Sequence, residues 1–176
     1  MDAAEARAHF LAICQRLKAN VERGAPDSAD DVVRIPASAY QDDALYEKEL
    51  QQIFMEVPLL VALSCDIPTP GDFVTLNLLD QPLLIVRGND DKARVFLNIC
   101  RHRGAALTTE PCGNKRVFSC PYHAWTFDRQ GALRGVPDSE AFGDHGVEGL
   151  IELPSDEAAG TIFCSLNRDN PVSIEN

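Results

Sequence analysis

The sequence predicts a mainly β protein, an antiparallel β-sandwich or barrel preceded by two N-terminal helices. Three observations carry that prediction. Before residue 57 apolar residues recur at helical spacing, after Gly71 they gather in short β-branched, leucine and aromatic runs, and closely spaced turn signals separate those runs.

Residues 3–22 place Phe10, Cys14, Leu17 and Val21 at i, i+4, i+7 and i+11, a one-sided stripe that predicts a helix with a face to dock. "GAPDSADDVVRIPAS", residues 24–38, concentrates Gly, Pro, Ser and Asp without periodicity and reads as a linker. A second helix is expected from about Asp43 to Glu56, capped by Asp42 or Asp43, with Tyr46, Leu50, Ile53 and Phe54 on one face and Pro58 as its stop. From "GDFVTLNLLDQPLLIVRGNDDKARVFLNIC" onward the runs read as strands, with turns at Asp80-Gln81 and at Gly88 to Asp91. "KRVFSC", "HAWTFD", the turn "RQGA", "LRGV" and "GTIFCSL" continue the pattern. Many short strands favour a sandwich or barrel over an α/β sheet.

The chain has 176 residues and a formal net charge of -11, enough for one core with a helical extension and a poor match to nucleic acid or an anionic membrane surface. No apolar window approaches the roughly 18 residues of a membrane span. The acidic, charge-interrupted N-terminus is not built as a signal peptide, so the expected location is the cytoplasm. Reduced cysteines follow from that setting. Cys14, Cys65 and Cys164 sit in apolar contexts ("LAIC", "VALSC", "IFCSL") that predict plain packing, and His9 and His145 read as ordinary surface histidines.

The chemistry concentrates in "CRHRGAALTTEPCGNKRVFSCPYHAW", residues 100–125. Two short segments each offer one cysteine and one histidine, Cys100-x-His102 and Cys120-x-x-His123, with seventeen residues between His102 and Cys120. Tetrahedral zinc is one candidate, although structural zinc sites usually pair like ligands on each arm. A two-iron cluster accounts for the mixture directly, because one iron takes two thiolates and the other two imidazoles. The two segments must then lie side by side, cysteines deeper and histidines nearer solvent.

Residues from about Tyr46 to Leu166 resemble the N-terminal Rieske domain of ring-hydroxylating oxygenase (aromatic dioxygenase) alpha, or large, subunits. "CRHRGA", "CPYHAW", "VFLNIC", "PTPGDFVTLNL", "LLIVRG", "GALRGVP" and "GTIF" carry the resemblance. It implies a Rieske-type sandwich over 43–176 with a small cluster-binding subdomain at about 98–137, residues 1–42 forming an N-terminal helix and linker. It also implies a [2Fe-2S] cluster held by Cys100, His102, Cys120 and His123, with no catalytic residue in this chain alone. Ala124 stands where the family usually has glycine, and Ala resists positive φ. "FMEVPLLVALS" lacks a tryptophan common after the second helix.

Electron transfer is the implied function, in the setting of aromatic compound catabolism. The donor would be a ferredoxin or flavoprotein reductase, and the acceptor a mononuclear Fe(II) in a C-terminal catalytic domain outside this chain, in a neighbouring subunit of a homotrimer. The leftover histidines, His9 and His145, share no motif that would hold that second iron. Tyr122 and Ala105 stand where the cytochrome bc type carries an extra cysteine pair and Cys112 has no matching partner, so no disulfide is expected beside the cluster and its potential should lie low in the range of about -150 to +300 mV. Between Cys100 and Gly135 six basic residues face two acidic ones, a basic cap suited to an acidic donor. Trp125 is expected to fill the hairpin core, and Pro137 resembles a third loop over the cluster. A stand-alone Rieske ferredoxin-type carrier and a structural zinc module are the alternatives.

Overall fold

The computed structural model describes residues 2–29, 31–141, 146–147 and 149–174, and its contacts divide the chain into two units, residues 1–46 with 175–176 and residues 47–174. His145 lies outside the described residues.

In the first unit, helix α1 spans Ala3–Arg23. Asp2 caps it by accepting from the Ala4 and Glu5 amides while the Glu5 carboxylate accepts from the Asp2 amide. Gly24 closes it in the left-handed conformation at φ 66°. The expected stripe is present, but α1 buries none of its residues: Phe10, Leu17 and Val21 are exposed, and so is Cys14, which therefore does not pack as its apolar context predicts. Helix α2, Asp43–Glu49, starts where expected, with Asp42 accepting from the Ala44 and Leu45 amides. It ends sooner as an α-helix, because Leu50–Phe54 widens into a π-helical turn, whose end is closed by the Met55 amide donating to the Leu50 carbonyl.

The second unit stacks three antiparallel sheets. The strands are β1 Leu59–Leu63, β2 Asp72–Leu78, β3 Gln81–Arg87, β4 Ala93–Leu97, β5 Cys112–Asn114, β6 Val117–Ser119, β7 Thr126–Asp128, β8 Leu133–Gly135, β9 Glu152–Leu153, β10 Ser155–Ala158 and β11 Thr161–Cys164. They form a sheet of order β1-β11-β10, a larger one of order β5-β2-β3-β4-β9, and a small one of order β6-β7-β8. The larger sheet is the middle layer. On β3, Leu83 and Ile85 pack with Val61, Ile162 and Cys164 of the first sheet, whereas Leu84 and Val86 pack with Phe118 and Phe127 of the small one. A strand covered on both faces reads as a continuous apolar run, which is why "LLIV" shows no alternation.

The prediction of a mainly β fold holds, with three differences of detail. The β2–β3 hairpin turns on Leu79 and Asp80, both at positive φ (49° and 63°), rather than on Asp80-Gln81. Strands β5, β9 and β10 were not expected: β10 reads Ser-Asp-Glu-Ala, a composition depleted in strands, and is held by its pairing with β11 across the Ala159-Gly160 turn. Of the cysteines expected to pack, Cys164 is fully buried, and burial pushes its thiol up to about 12. Cys65 is exposed, because it falls in the turn Ser64–Asp66 after β1 rather than on an inward strand position.

Candidate metal centre

The first Cys/His loop follows β4 and the second joins β6 to β7. Each is closed by its own backbone in the same way. The Cys100 amide donates to the Ala105 carbonyl (2.7 Å) and the Gly104 amide to the Cys100 carbonyl (2.9 Å); the Cys120 amide donates to Trp125 (2.8 Å) and the Ala124 amide to Cys120 (2.9 Å). Cys100, Gly104 and Ala105 thus match Cys120, Ala124 and Trp125. In both loops the fifth residue is left-handed, Gly104 at φ 73° and Ala124 at φ 56°, so alanine does adopt here the conformation that it resists. His102 is the third residue of its loop and His123 the fourth, and the two rings meet with centroids 4.6 Å apart.

The four side chains stand in the depth order that the two-iron reading requires. Cys100 and Cys120 are 2% and 4% exposed, and the histidines are half-buried. Burial raises the Cys100 thiol above its ordinary value, and the adjacent Cys120 side chain adds to that rise against the lowering pull of the His102 backbone. A thiol raised in this way ionises only where a cation compensates it. Burial, then His123 and Arg103, hold His102 below its ordinary value, which favours the neutral imidazole that ligates metals. The Nδ1 atoms of both histidines are buried, and that of His123 has no hydrogen-bond partner among the described residues, an unsatisfied nitrogen that a metal would explain.

The donor set fits a two-iron cluster better than zinc. Among the described residues no three His, Cys, Asp or Glu side chains are grouped to hold one ion, as a zinc site demands. Two thiols and two imidazoles in separate pairs are what a mixed-ligand cluster asks for.

Supports for the loops come partly from residues whose roles the sequence did not reveal. Asn98, 5% exposed, donates to the Thr108 carbonyl (2.8 Å) and accepts from the Leu107 (3.1 Å) and Thr108 (3.3 Å) amides, tying the strand that leads to Cys100 to the return of the same loop. Replacing Asn98 with leucine should cost about 2–3 kcal/mol by stranding these buried backbone groups. Urea unfolding measures the cost, and amide exchange at Leu107 and Thr108 should accelerate; unchanged exchange there would remove the latch. Only a buried polar residue among apolar neighbours hinted at this role.

Trp125 fills the core as expected and also stacks on His102, with rings 5.0 Å apart and 8° from parallel. Tyr122 lies 62% exposed against His123, at a 3.9 Å centroid separation. Pro137 and His9 are exposed.

The basic cap is smaller than the charge count suggests. Lys115 pairs with Glu110 at 2.8 Å and Arg134 with Asp128 at 2.6 Å. Arg129 donates to the Lys115 carbonyl and to Asn89, lying so close to Gly71 that a Cβ there would come within 2.4 Å of its guanidinium. Arg101, Arg103 and Arg116 remain exposed with no ion pair among the described residues.

Comparison with known proteins places these features in a family. The model of the Rieske [2Fe-2S] domain matches residues 57–154. The glycine betaine monooxygenase oxygenase subunit of Chromohalobacter salexigens is 34% identical, over 86% of this chain and 36% of its own length. The biphenyl 2,3-dioxygenase subunit alpha of Rhodococcus jostii is 38% identical, over 78% of this chain and 31% of its own. A solved structure of the quaternary ammonium Rieske monooxygenase CntA superposes with a TM-score of 0.71 at 30% identity, covering 78% of this chain and 39% of that one. The chain therefore spans between 31% and 39% of the length of these relatives.

Proposed function

The chain belongs to the Rieske [2Fe-2S] domain family, and from that premise we propose that it is the electron-transfer domain of a ring-hydroxylating oxygenase alpha subunit. Cys100 and Cys120 would hold one iron of the [2Fe-2S] cluster, and His102 and His123 the other. When bound, such a cluster accepts and returns a single electron. The observation that carries the proposal is the matched pair of loops, which presents two buried thiols and two facing imidazoles.

The chain's own residues would do three things. The buried cysteines, packed with Phe118, Trp125 and Phe127, would keep water from the inner half of the site. The half-buried histidines would form the outward edge through which the electron enters and leaves. Arg101 and Arg103, flanking His102, with Arg116, would draw in an acidic ferredoxin or reductase, an attraction that salt weakens.

The acceptor would be a mononuclear non-haem Fe(II) in a catalytic domain beyond this chain, in a neighbouring subunit of a homotrimer, with the whole assembly in the cytoplasm. The cluster-bearing subdomain is taken as about 98–137 within a domain of 43–176. Similarity to oxygenase subunits favours this setting over a stand-alone ferredoxin-type carrier.

The test is an EPR spectrum of anaerobically purified protein reduced with dithionite, with iron and zinc quantified on the same sample. A rhombic signal of low average g with about two irons per chain is expected. A colourless protein with one zinc and no iron would overturn the proposal.

A further inference from the structure

The two loops share one backbone frame but differ at the residue that must be left-handed: glycine in the first, alanine in the second. A left-handed alanine is disfavoured by about five- to thirtyfold. The glycine of the first loop is there for conformation and not for room, since a Cβ on Gly104 would meet nothing closer than Ile99 Cγ2 at 4.0 Å. Something in the second loop must offset what glycine supplies in the first.

A hydroxyl pair stands at that point. Thr126 Oγ1 donates to the Ala124 carbonyl at 3.0 Å, and Ser119 Oγ lies 2.8 Å from Thr126 Oγ1. The single Thr126 hydroxyl proton is committed to Ala124, so Ser119 is the donor to Thr126. The chain Ser119 to Thr126 to the Ala124 carbonyl thereby fixes the peptide plane on the C-terminal side of Ala124. The next carbonyl, that of Trp125, is fixed by the Cys120 amide. In the first loop Ile99 and Ala106 occupy the places of Ser119 and Thr126, and neither has a hydroxyl. The clamp accompanies alanine and is missing beside glycine.

We propose that Thr126, backed by Ser119, is a positioning residue that holds Ala124 left-handed and so keeps His123, its chain neighbour, turned toward the cluster. The inference rests on the loops being cluster-bearing. It predicts a coupling: loss of the Thr126 hydroxyl matters while residue 124 is alanine and ceases to matter once it is glycine.

The experiment compares wild type, Thr126→Val, Ala124→Gly and the double variant, all purified anaerobically. The readouts are iron release to a chelator, the spread of EPR g values, and urea unfolding. Thr126→Val should release iron about threefold faster, the equilibrium equivalent of one partly exposed hydrogen bond, with a broadened g spread. Thr126→Ser should behave as wild type. In the Ala124→Gly background Thr126→Val should change none of the three readouts. Equal effects in both backgrounds, or none in either, would overturn the clamp.

Should Thr126→Val not fold, Ser119→Ala at its exposed position replaces it, with a smaller effect of the same sign and the same dependence on residue 124. A wild type without a mixed-ligand signal would instead defeat the cluster-bearing reading, while the urea cycle on the same proteins would still report whether the hydroxyl and Ala124 are coupled.

Discussion

Replacing Cys120 with alanine is expected to leave a folded chain that holds less than about a tenth of the wild-type iron, since even outer partners of a metal site cost about 10–100-fold in affinity when removed. The fold should survive because the loop closes through the Cys120 backbone, not its side chain: its amide donates to Trp125 and its carbonyl accepts from Ala124. Removing one buried sulfur beside Phe118, Trp125 and Phe127 should cost about 1–2 kcal/mol, less than the typical stability of a domain. Cys112→Ala is the control. Cys112 lies in the same sequence segment but is exposed on β5, so its variant should retain full iron. Iron content and far-ultraviolet dichroism on both variants decide the matter. Full iron in the Cys120 variant would mean that the two-loop reading has the wrong ligands.

Cys100, His102, Cys120 and His123, the proposed ligands, stand out in the sequence because metal chemistry restricts residue type as well as spacing: few demands other than a mixed-ligand cluster put one cysteine and one histidine on each of two arms. The strands were legible where an apolar run is long, as in β3, and invisible where pairing alone makes the strand, as in β10 with its serine, aspartate and glutamate. Hairpin turns were read through their usual residues, so Leu79 at positive φ escaped notice. Asn98 and the Ser119–Thr126 pair escaped for a different reason. Their partners are backbone atoms, and nothing in the side-chain sequence marks which carbonyl or amide stands unsatisfied. The charge count misled in the same way, because sequence gives the number of arginines but not that Arg134 is engaged by Asp128 or Arg129 by the Lys115 carbonyl.

Arg87→Met should lower stability by about 3 kcal/mol while leaving the EPR g values of the cluster unchanged. Arg87, on β3 of the middle sheet, forms a two-pronged ion pair with Glu157 on β10 (2.6 and 2.8 Å) and also donates to the Ile67 (2.9 Å) and Asp91 (2.8 Å) carbonyls. It therefore ties two sheets and two turns together. Breaking a buried pair by removing one partner costs about 3–5 kcal/mol. The lower end applies because the Glu157 side chain keeps 27% of its exposure against 8% for Arg87.

The Arg87 guanidinium holds the Glu157 carboxyl below its usual value of 4.5 despite partial burial. A lowered folded pKa means that the unfolded chain binds more protons in that window. The pair's contribution is then complete above the ordinary glutamate value and is lost as pH falls below it toward the folded value. Urea midpoints at neutral pH and down to about pH 3 should show a shallower acid decline in Arg87→Met than in wild type. Replacing both partners with apolar residues should recover much of the loss at neutral pH.

The cluster should not register the change. The core beneath Arg87's sheet-to-sheet tie contains Ile67, Leu83, Ile85 and Ile162, whereas Cys100, Cys120 and Trp125 pack on the opposite face of the middle sheet with Leu84 and Val86. A shift in the g values of Arg87→Met would show that the middle sheet transmits strain from one core to the other.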